Sequence, residues 1–261
     1  METTAGHHRG FFHEAAFYGS DDEFLAIMIP FLTGGVQAGE PAVVVVNERN
    51  AELIRVAMGD TPDISFTDAR AHYTRPAGVI KAYRQTLTAH VARGARQIRL
   101  VGEVPHPGTG RPWEWWARYE AAFNHVFAEF PAWVICPYDT RIAPTEVLAD
   151  VARTHPHLAT ADGRHVVSFG FEDPVEFLTS RPAGGADPLE ATAPMTDLVD
   201  PTLSGARRAV RNASHASRLD DAEVADFVWA VNEAVDNGTR HGRPPVRLRL
   251  WSDTDRMVVT V

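Results

Sequence analysis

Ala42 to Val46 is apolar at every position, bounded by Gly39-Glu40-Pro41 before it and Asn47 after it. A strand with one wet face alternates apolar and polar residues. One that is apolar throughout is buried on both faces, which calls for a parallel sheet covered by helices. The flanking segments supply them. After a disordered-looking start, Phe11 to Tyr18 leads into Ser20-Asp21-Asp22-Glu23, a capping-box pair that opens an amphipathic helix through about Gln37. A helix around Ala51 to Met58 precedes a short strand near Ile64 to Thr67, and a helix from Pro76 to about Arg93 ends at Gly94 before a strand at Ile98 to Val101. Helix Trp113 to Phe130, strand Trp133 to Cys136 and helix Thr145 to Thr154 continue the alternation. The sheet is expected to close with Val166 to Phe171, before a short helix at Pro174 to Leu178. Strand-helix alternation of this kind predicts a doubly wound α/β domain with a mostly parallel sheet.

From Ser180 to Pro194 the chain is rich in Pro, Gly and Ala without periodicity, which reads as an interdomain linker. The expected division is a domain over 9–180, a linker over 181–194 and a second domain over 195–261. A length of 261 residues suits one large or two ordinary domains. The net charge of −9 argues against a general affinity for nucleic acid. Lys81 is the one lysine and Cys136 the one cysteine, so an intramolecular disulfide and a Cys-rich zinc site are excluded. The N-terminus carries no basic-then-apolar signal, and no apolar run approaches the ~20 residues of a membrane span. A cytoplasmic location without membrane contact is the expectation.

In open parallel sheets ligands collect at the carboxyl ends of the strands. Those ends carry Asn47-Glu48-Arg49, Gly102-Glu103-Val104-Pro105-His106 and Pro137-Tyr138-Asp139-Thr140-Arg141. The topology makes Glu103 and Asp139 neighbours, with Tyr138 and Arg141 close by. Two acids there can hold Mg²⁺ or a polar ligand, or can be paired by local arginines. No G-x-x-x-x-G-K-[ST] is present, so ATP hydrolysis by this domain is not expected. Trp116 belongs to an aromatic stretch, Trp113 to Tyr119, that lines an apolar pocket or simply forms helix core. His13 suits a ligand or switch residue, although a hydrogen-bonded structural histidine is the commoner case. His106, His125, His155, His157 and His165 show no i, i+4 pairing of the metal-helix type. Cys136, within a buried strand, reads as core.

The second half is dominated by V-N-E-A-V-D-N-G-T-R-H-G, Val231 to Gly242. Phe227, Val228, Val231, Ala234 and Val235 recur at helical spacing, so Glu233 and Asn237 lie one turn apart on one side of a helix. A carboxylate and an amide stacked in this way suit a nucleotide site, the amide oxygen reaching a phosphate-bound Mg²⁺ and the carboxylate activating an attacking group. Spacing alone equally fits an ordinary surface helix. Gly238 and Gly242 are expected to loosen its end.

Two resemblances sharpen these readings. E-A-V-D-N-G-T-R-H-G, followed by P-V-R-L-R-L and M-V-V-T-V, resembles the N-box of the GHKL ATPases, most nearly the anti-sigma factor serine kinase branch; Ala206-Arg207-Arg208-Ala209-Val210 and the helix opening at Leu219-Asp220-Asp221-Ala222 agree with it. The resemblance implies a partial α+β ATPase sandwich of the Bergerat type over 195–261. It makes Glu233 the base that activates a serine hydroxyl on a partner and Asn237 the Mg²⁺ ligand, with Asp236, His241 and Gly242 beside the ATP. In that family the last strand leads into D-x-G-x-G and a glycine-rich lid. The sequence stops at Val261, before either, so it is expected to be a fragment of a longer protein. The branch commonly dimerises through this domain, which makes a homodimer one expected assembly.

The combination of His13, Phe17-Tyr18, G-E-P-A-V-V-V-V, I-R-L-V-G-E-V and W-V-I-C-P-Y-D-T resembles the MEDS sensory domain, a RecA/KaiC-like module found in regulators. It implies a sensor for a small molecule, of hydrocarbon-like type, with His13, Tyr18, Glu103, Trp116, Tyr138, Asp139 and Arg141 as candidate ligand contacts. Together the resemblances imply a regulator in which a ligand governs an ATPase domain acting on a sigma factor or an anti-sigma antagonist. Two other classes stay open: a docking regulator whose ATPase domain has lost catalysis, and a small-metabolite enzyme using Glu103 and Asp139.

Overall fold

In the computed structural model, which describes residues 10–59, 61–110, 112–181 and 186–261, contacts divide the chain into two units, 1–181 and 182–261. The disordered start expected for the first residues, and residues 182–185 of the expected linker, lie outside the described residues.

The first unit runs β1 (Phe12–Tyr18), α1 (Asp21–Gln37), β2 (Ala42–Val46), α2 (Glu48–Met58), β3 (Ile64–Asp68), the single turn α3 (Ala69–His72), α4 (Pro76–Ala92) and β4 (Ile98–Gly102), then α5 (Glu114–Val126), β5 (Ala132–Asp139), α6 (Thr145–Thr154), β6 (His157–Ala159), β7 (His165–Val167) and α7 (Pro174–Ser180). The strands form one seven-stranded sheet in the order β3-β2-β4-β5-β1-β6-β7. Every pairing is parallel except β6 with β7. Helices cover both faces, as the all-apolar β2 demands. α1 and α2 bury Phe24, Met28, Leu32 and Ile54 on one side, while α4 to α7 bury Tyr83, Leu87, Phe123, Val147 and Phe177 on the other. Each such side chain contributes about 1.5–3 kcal/mol by leaving water.

β1 carries no clear sequence signal because His13 and Glu14 interrupt its apolar pattern, yet it lies inside the sheet between β5 and β6. Its alternation resolves the conflict: Phe12, Ala16 and Tyr18 enter the core under α1 and α2, and Ala15 and Phe17 the core under the other helices. Glu14 is fully buried and accepts from Trp133 Nε1 at 2.7 Å and pairs with His165 Nδ1 at 2.8 Å. On β4, Arg99 is 2 % exposed, its guanidinium stacked over Trp133 and Phe31 with Nε 2.6 Å from Glu40. A Cβ on Gly35 would lie 2.6 Å from Arg99 Cγ, so α1 needs glycine where it crosses this side chain.

Helix α1 opens as expected: Ser20 Oγ accepts from Glu23 N, while the Glu23 carboxylate reaches the Gly19 N–H instead of the Ser20 N–H. The expected closing strand over 166–171 is replaced by the hairpin β6–β7. The pairing ends where Ser168 N donates to Pro156 O but proline has no N–H to return the bond, and Ser168 Oγ to Ala152 O with Glu172 N to Arg153 O turn the chain over the end of α6.

The second unit begins with a short 3₁₀ turn at Pro188–Ala191, capped reciprocally by Asp187 and Glu190. The expected linker is therefore structured where it is described, and Trp251 Nε1 donates to Thr192 O. Next come β8 (Thr196–Val199), α8 (Leu203–Ser214), α9 (Asp221–His241), β9 (Arg247–Ser252) and β10 (Met257–Thr260). The strands form an antiparallel sheet in the order β10-β9-β8, and Ala206, Val210, Val231 and Val235 of the helices pack on Leu248 and Leu250, a two-layer α+β arrangement. Asp220 and Glu223 cap α9 reciprocally at 2.8 and 3.0 Å. Among the described residues no helix is long and apolar enough to cross a membrane.

Candidate functional site

The chain leaves β2 through α2 toward β3 on one side and leaves β4 through α5 toward β5 on the other. Connections that diverge from adjacent parallel strands open a crevice at their carboxyl ends. A cleft of about 880 Å³ lies there, lined by Asn47, Arg49, Arg70, Tyr73, Glu103 and Thr109 among others.

Asn47, the residue after β2, does two jobs. Its side-chain oxygen caps α2 by accepting from Asn50 N at 2.9 Å, and its backbone N–H and Nδ2 donate to the two Glu103 oxygens at 2.9 and 2.6 Å. Asn50 Nδ2 adds a bond to Glu103 at 3.1 Å and one to the Tyr18 hydroxyl at 3.2 Å. The carboxylate thus sits at the positive end of α2, where negative charge is favoured. Tyr73 lines the cleft with its hydroxyl bonded to Tyr83 at 2.8 Å, and a Cβ on Gly102 would lie 2.6 Å from that oxygen.

Asp139 is engaged separately. Arg141 donates to it through Nε at 2.8 Å and Nη2 at 2.7 Å, and reaches Asp21 at 3.3 Å. The Arg141 bonds hold the Asp139 carboxyl below its ordinary range. Of the two arrangements open to Glu103 and Asp139, arginine pairing holds for Asp139, while amides hold Glu103. Arg141 also lies over the Tyr18 ring, and burial raises the Tyr18 hydroxyl pKa. Anionic phosphate finds little welcome after β1, because the first turn of α1 carries Asp21, Asp22 and Glu23.

Tyr138, next to Asp139 in β5, points to the opposite face and is fully buried. Its hydroxyl donates to Glu120 Oε1 at 2.6 Å. His13 is buried in the same region, its Nε2 3.4 Å from Cys136 Sγ and 3.6 Å from Glu120 Oε2, with the His155 ring against it at 4.1 Å between centroids and tilted by 42°. His155 Nε2 lies 3.5 Å from Glu120 Oε2. Burial dominates the electrostatics, pushing Glu120 up to about 8, His155 down to about 4, His13 well below and Cys136 well above their ordinary values. Trp116 belongs to the core, edge-on to Tyr73 and Tyr119. The candidates of the first unit therefore separate into a cleft group (Glu103 with Tyr18 beneath it), a surface pair (Asp139, Arg141) and an interior group (His13, Tyr138, with Trp116 in the aromatic core).

In the second unit Glu233 and Asn237 are both exposed on α9, one turn apart, away from the buried Val231 and Val235. Their side chains make no hydrogen bond or ion pair among the described residues. Asp236 pairs with Arg240 at 3.0 Å, and His241 and Gly242 are exposed at the helix end. Gly238 does not loosen the helix: α9 runs through it to His241, and a Cβ there would lie 3.2 Å from Val246 Cγ1. Gly242 is fixed by the helix itself, since a Cβ would lie 2.3 Å from Gly238 O.

Residues 12–156 match the family model described as MEDS, the methanogen/methylotroph, DcmR sensory domain. The chain belongs to the MEDS family. No curated protein matches it. The MEDS match contains β1 to α6 and with them the cleft and the interior cluster, whereas α9 lies beyond it. A sensory family gives the chain a signalling role. Asn47, Asn50 and Glu120 escape a reading by motif. Glu120 had one signal, a charge on the apolar stripe of α5 in line with Trp116 and Phe123.

Proposed function

We propose that the MEDS domain binds a small polar molecule in the cleft where β2 and β4 end, and that its occupancy governs the second unit, an ATP- and Mg²⁺-binding domain of the anti-sigma serine kinase type acting on a sigma factor or its antagonist. The junction of Asn47 and Glu103 carries the sensor half. A ligand bearing amine or hydroxyl donors competes with Asn47 for the carboxylate, and Asn47 also caps α2. Ligand-bound and ligand-free forms then differ at a helix terminus, the differential contact that a population shift requires. The lining sets Glu48, Asp68 and Glu103 against Arg49 and Arg70, which favours a compound with a polar head over a bare hydrocarbon.

The kinase half rests on Glu233 and Asn237, exposed on one side of α9 and free of partners among the described residues. In this reading Asn237 ligates the Mg²⁺ of ATP, Asp236, His241 and Gly242 flank the nucleotide, and Glu233 activates the serine hydroxyl. The test is phosphorylation of an antagonist protein by the full-length protein, with and without saturating cleft ligand. A change in rate on ligand addition supports the coupling. An identical rate in both states refutes it.

A further inference from the structure

His13 of β1, Glu120 of α5, Cys136 of β5 and His155 after α6 come from four separate elements and converge, one ligand atom of each lying within 4.8 Å of all the others. All four are buried, at 1 %, 0 %, 4 % and 0 % exposure. We propose that they form a closed tetrahedral site for Zn²⁺ in the interior of the MEDS domain.

The hydrogen bonds around the cluster aim its lone pairs inward. Asn124 Nδ2 donates to Thr154 O at 2.7 Å, which turns Asn124 Oδ1 toward His13 Nδ1 at 3.0 Å. The Nδ1 proton of His13 is thereby fixed, and Nε2 presents a lone pair to the cluster. His155 repeats the arrangement with its Nδ1 2.9 Å from Val151 O. Glu120 Oε1 is taken by the Tyr138 hydroxyl, which leaves Oε2 facing inward. Two imidazole nitrogens, a carboxyl oxygen and the thiol therefore face one another. Glu120 Oε2 and His155 Nε2 are buried without a hydrogen bond of ordinary geometry, a condition that buried polar atoms rarely tolerate. One cation satisfies all of them, and orienting bonds on the far ring nitrogen are what metal-bound histidines normally have.

The ligand chemistry selects the metal. Two imidazoles, a thiolate and a carboxylate suit a borderline-soft ion such as Zn²⁺, whereas Mg²⁺ and Ca²⁺ take oxygen ligands. Bond lengths of about 2.0–2.3 Å in a tetrahedron put neighbouring ligand atoms roughly 3.3–3.6 Å apart. Three of the six separations, 3.4, 3.5 and 3.6 Å, match that spacing, and all six lie within 4.8 Å. A thiolate and a carboxylate also cancel the charge of a divalent ion, so the loaded site is neutral overall and suited to burial. With no open face, the ion enters as the chain folds.

The test is to unfold the full chain in chelator and refold it with one equivalent of Co²⁺ as a spectroscopic stand-in for Zn²⁺. The expected spectrum has the visible d–d bands of tetrahedral Co²⁺ together with a thiolate-to-cobalt charge-transfer band, the second lost in Cys136→Ser. Asn124→Ala is expected to weaken metal affinity about 10- to 100-fold. A natively folded wild-type chain without the charge-transfer band overturns the proposal, and so does a band that survives Cys136→Ser. Because the wild-type spectrum decides alone, misfolding of a variant leaves the test intact.

Discussion

Asn47 holds both oxygens of Glu103, through its backbone N–H at 2.9 Å and its side-chain amide at 2.6 Å, across the ends of β2 and β4. The contact bridges residues far apart in sequence at the point where the sheet's connections part. It ties the shape of the cleft to the cap of α2, so anything that competes for Glu103 is felt at the start of that helix.

Replacing Glu103 by alanine removes the acceptor of the Asn47 N–H and Nδ2 and leaves Asn50 Nδ2 with the Tyr18 hydroxyl alone. The expected loss is about 1–3 kcal/mol, the usual consequence of leaving half-buried and buried donors short of a partner, read as a lower urea midpoint with an unchanged slope. Glu103→Gln, which keeps an acceptor oxygen, is expected to lose less. Equal losses would show that charge, not hydrogen bonding, holds the junction.

Arg99→Ala removes a buried guanidinium stacked over Trp133 and Phe31 and leaves Glu40 without its partner. Breaking a buried pair from one side typically destabilises by about 3–5 kcal/mol. Equilibrium denaturation should place this variant among the least stable. A loss below about 1 kcal/mol, the range of surface ion pairs, would mean that the pair is solvated in solution.

Asp139 gives a pH prediction with a definite sign. Arg141 lowers its carboxyl in the folded chain relative to the unfolded value of 3.8. Its contribution is therefore complete above pH 3.8 and is lost as pH falls below that through the folded value. Asp139→Asn should lose about 1 kcal/mol at neutral pH and close the gap to wild type in acid. A gap constant down to the acid limit would remove Asp139 from the acid response.

For the second unit the proposal predicts distinct outcomes at two exposed positions of α9. Asn237→Ala should abolish Mg²⁺-dependent ATP binding by the full-length protein in calorimetry. Glu233→Ala should bind normally and transfer phosphate about 10²- to 10⁴-fold more slowly, the usual contribution of a general base. Unchanged binding in the first, or unchanged transfer in the second, removes that residue from its role.

The parts of the fold legible in the sequence are those governed by local pattern. The continuous apolar run at Ala42 to Val46 and the Ser20 cap announce the covered parallel sheet and its first helix, because burial on two faces and a capping hydroxyl leave traces within a few residues. β1 escapes because His13 and Glu14 are buried polar side chains satisfied by Asn124, Trp133 and His165, partners more than a hundred positions away. The interior cluster escapes for the same reason. A search for paired histidines on one helix cannot see ligands drawn from two strands, a helix and a helix end. At the cleft, Glu103 is legible as a strand-end acid, but its asparagine partners are visible only once β2 and β4 are adjacent. Tyr138 and Asp139 look alike in sequence, and the two-residue period of a strand sends one inward and the other to the surface.

The most direct test of the sensor reading is an amide-resolved NMR titration of the full chain with a panel of short-chain alcohols, amines and amino acids, repeated on Glu103→Ala. Saturable shifts at Asn47, Asn50, Glu103 and Thr109 from at least one compound, abolished in the variant, are the expected result. Saturable binding that leaves these amides unmoved, or that is the same in Glu103→Ala, would contradict a sensor centred on the cleft.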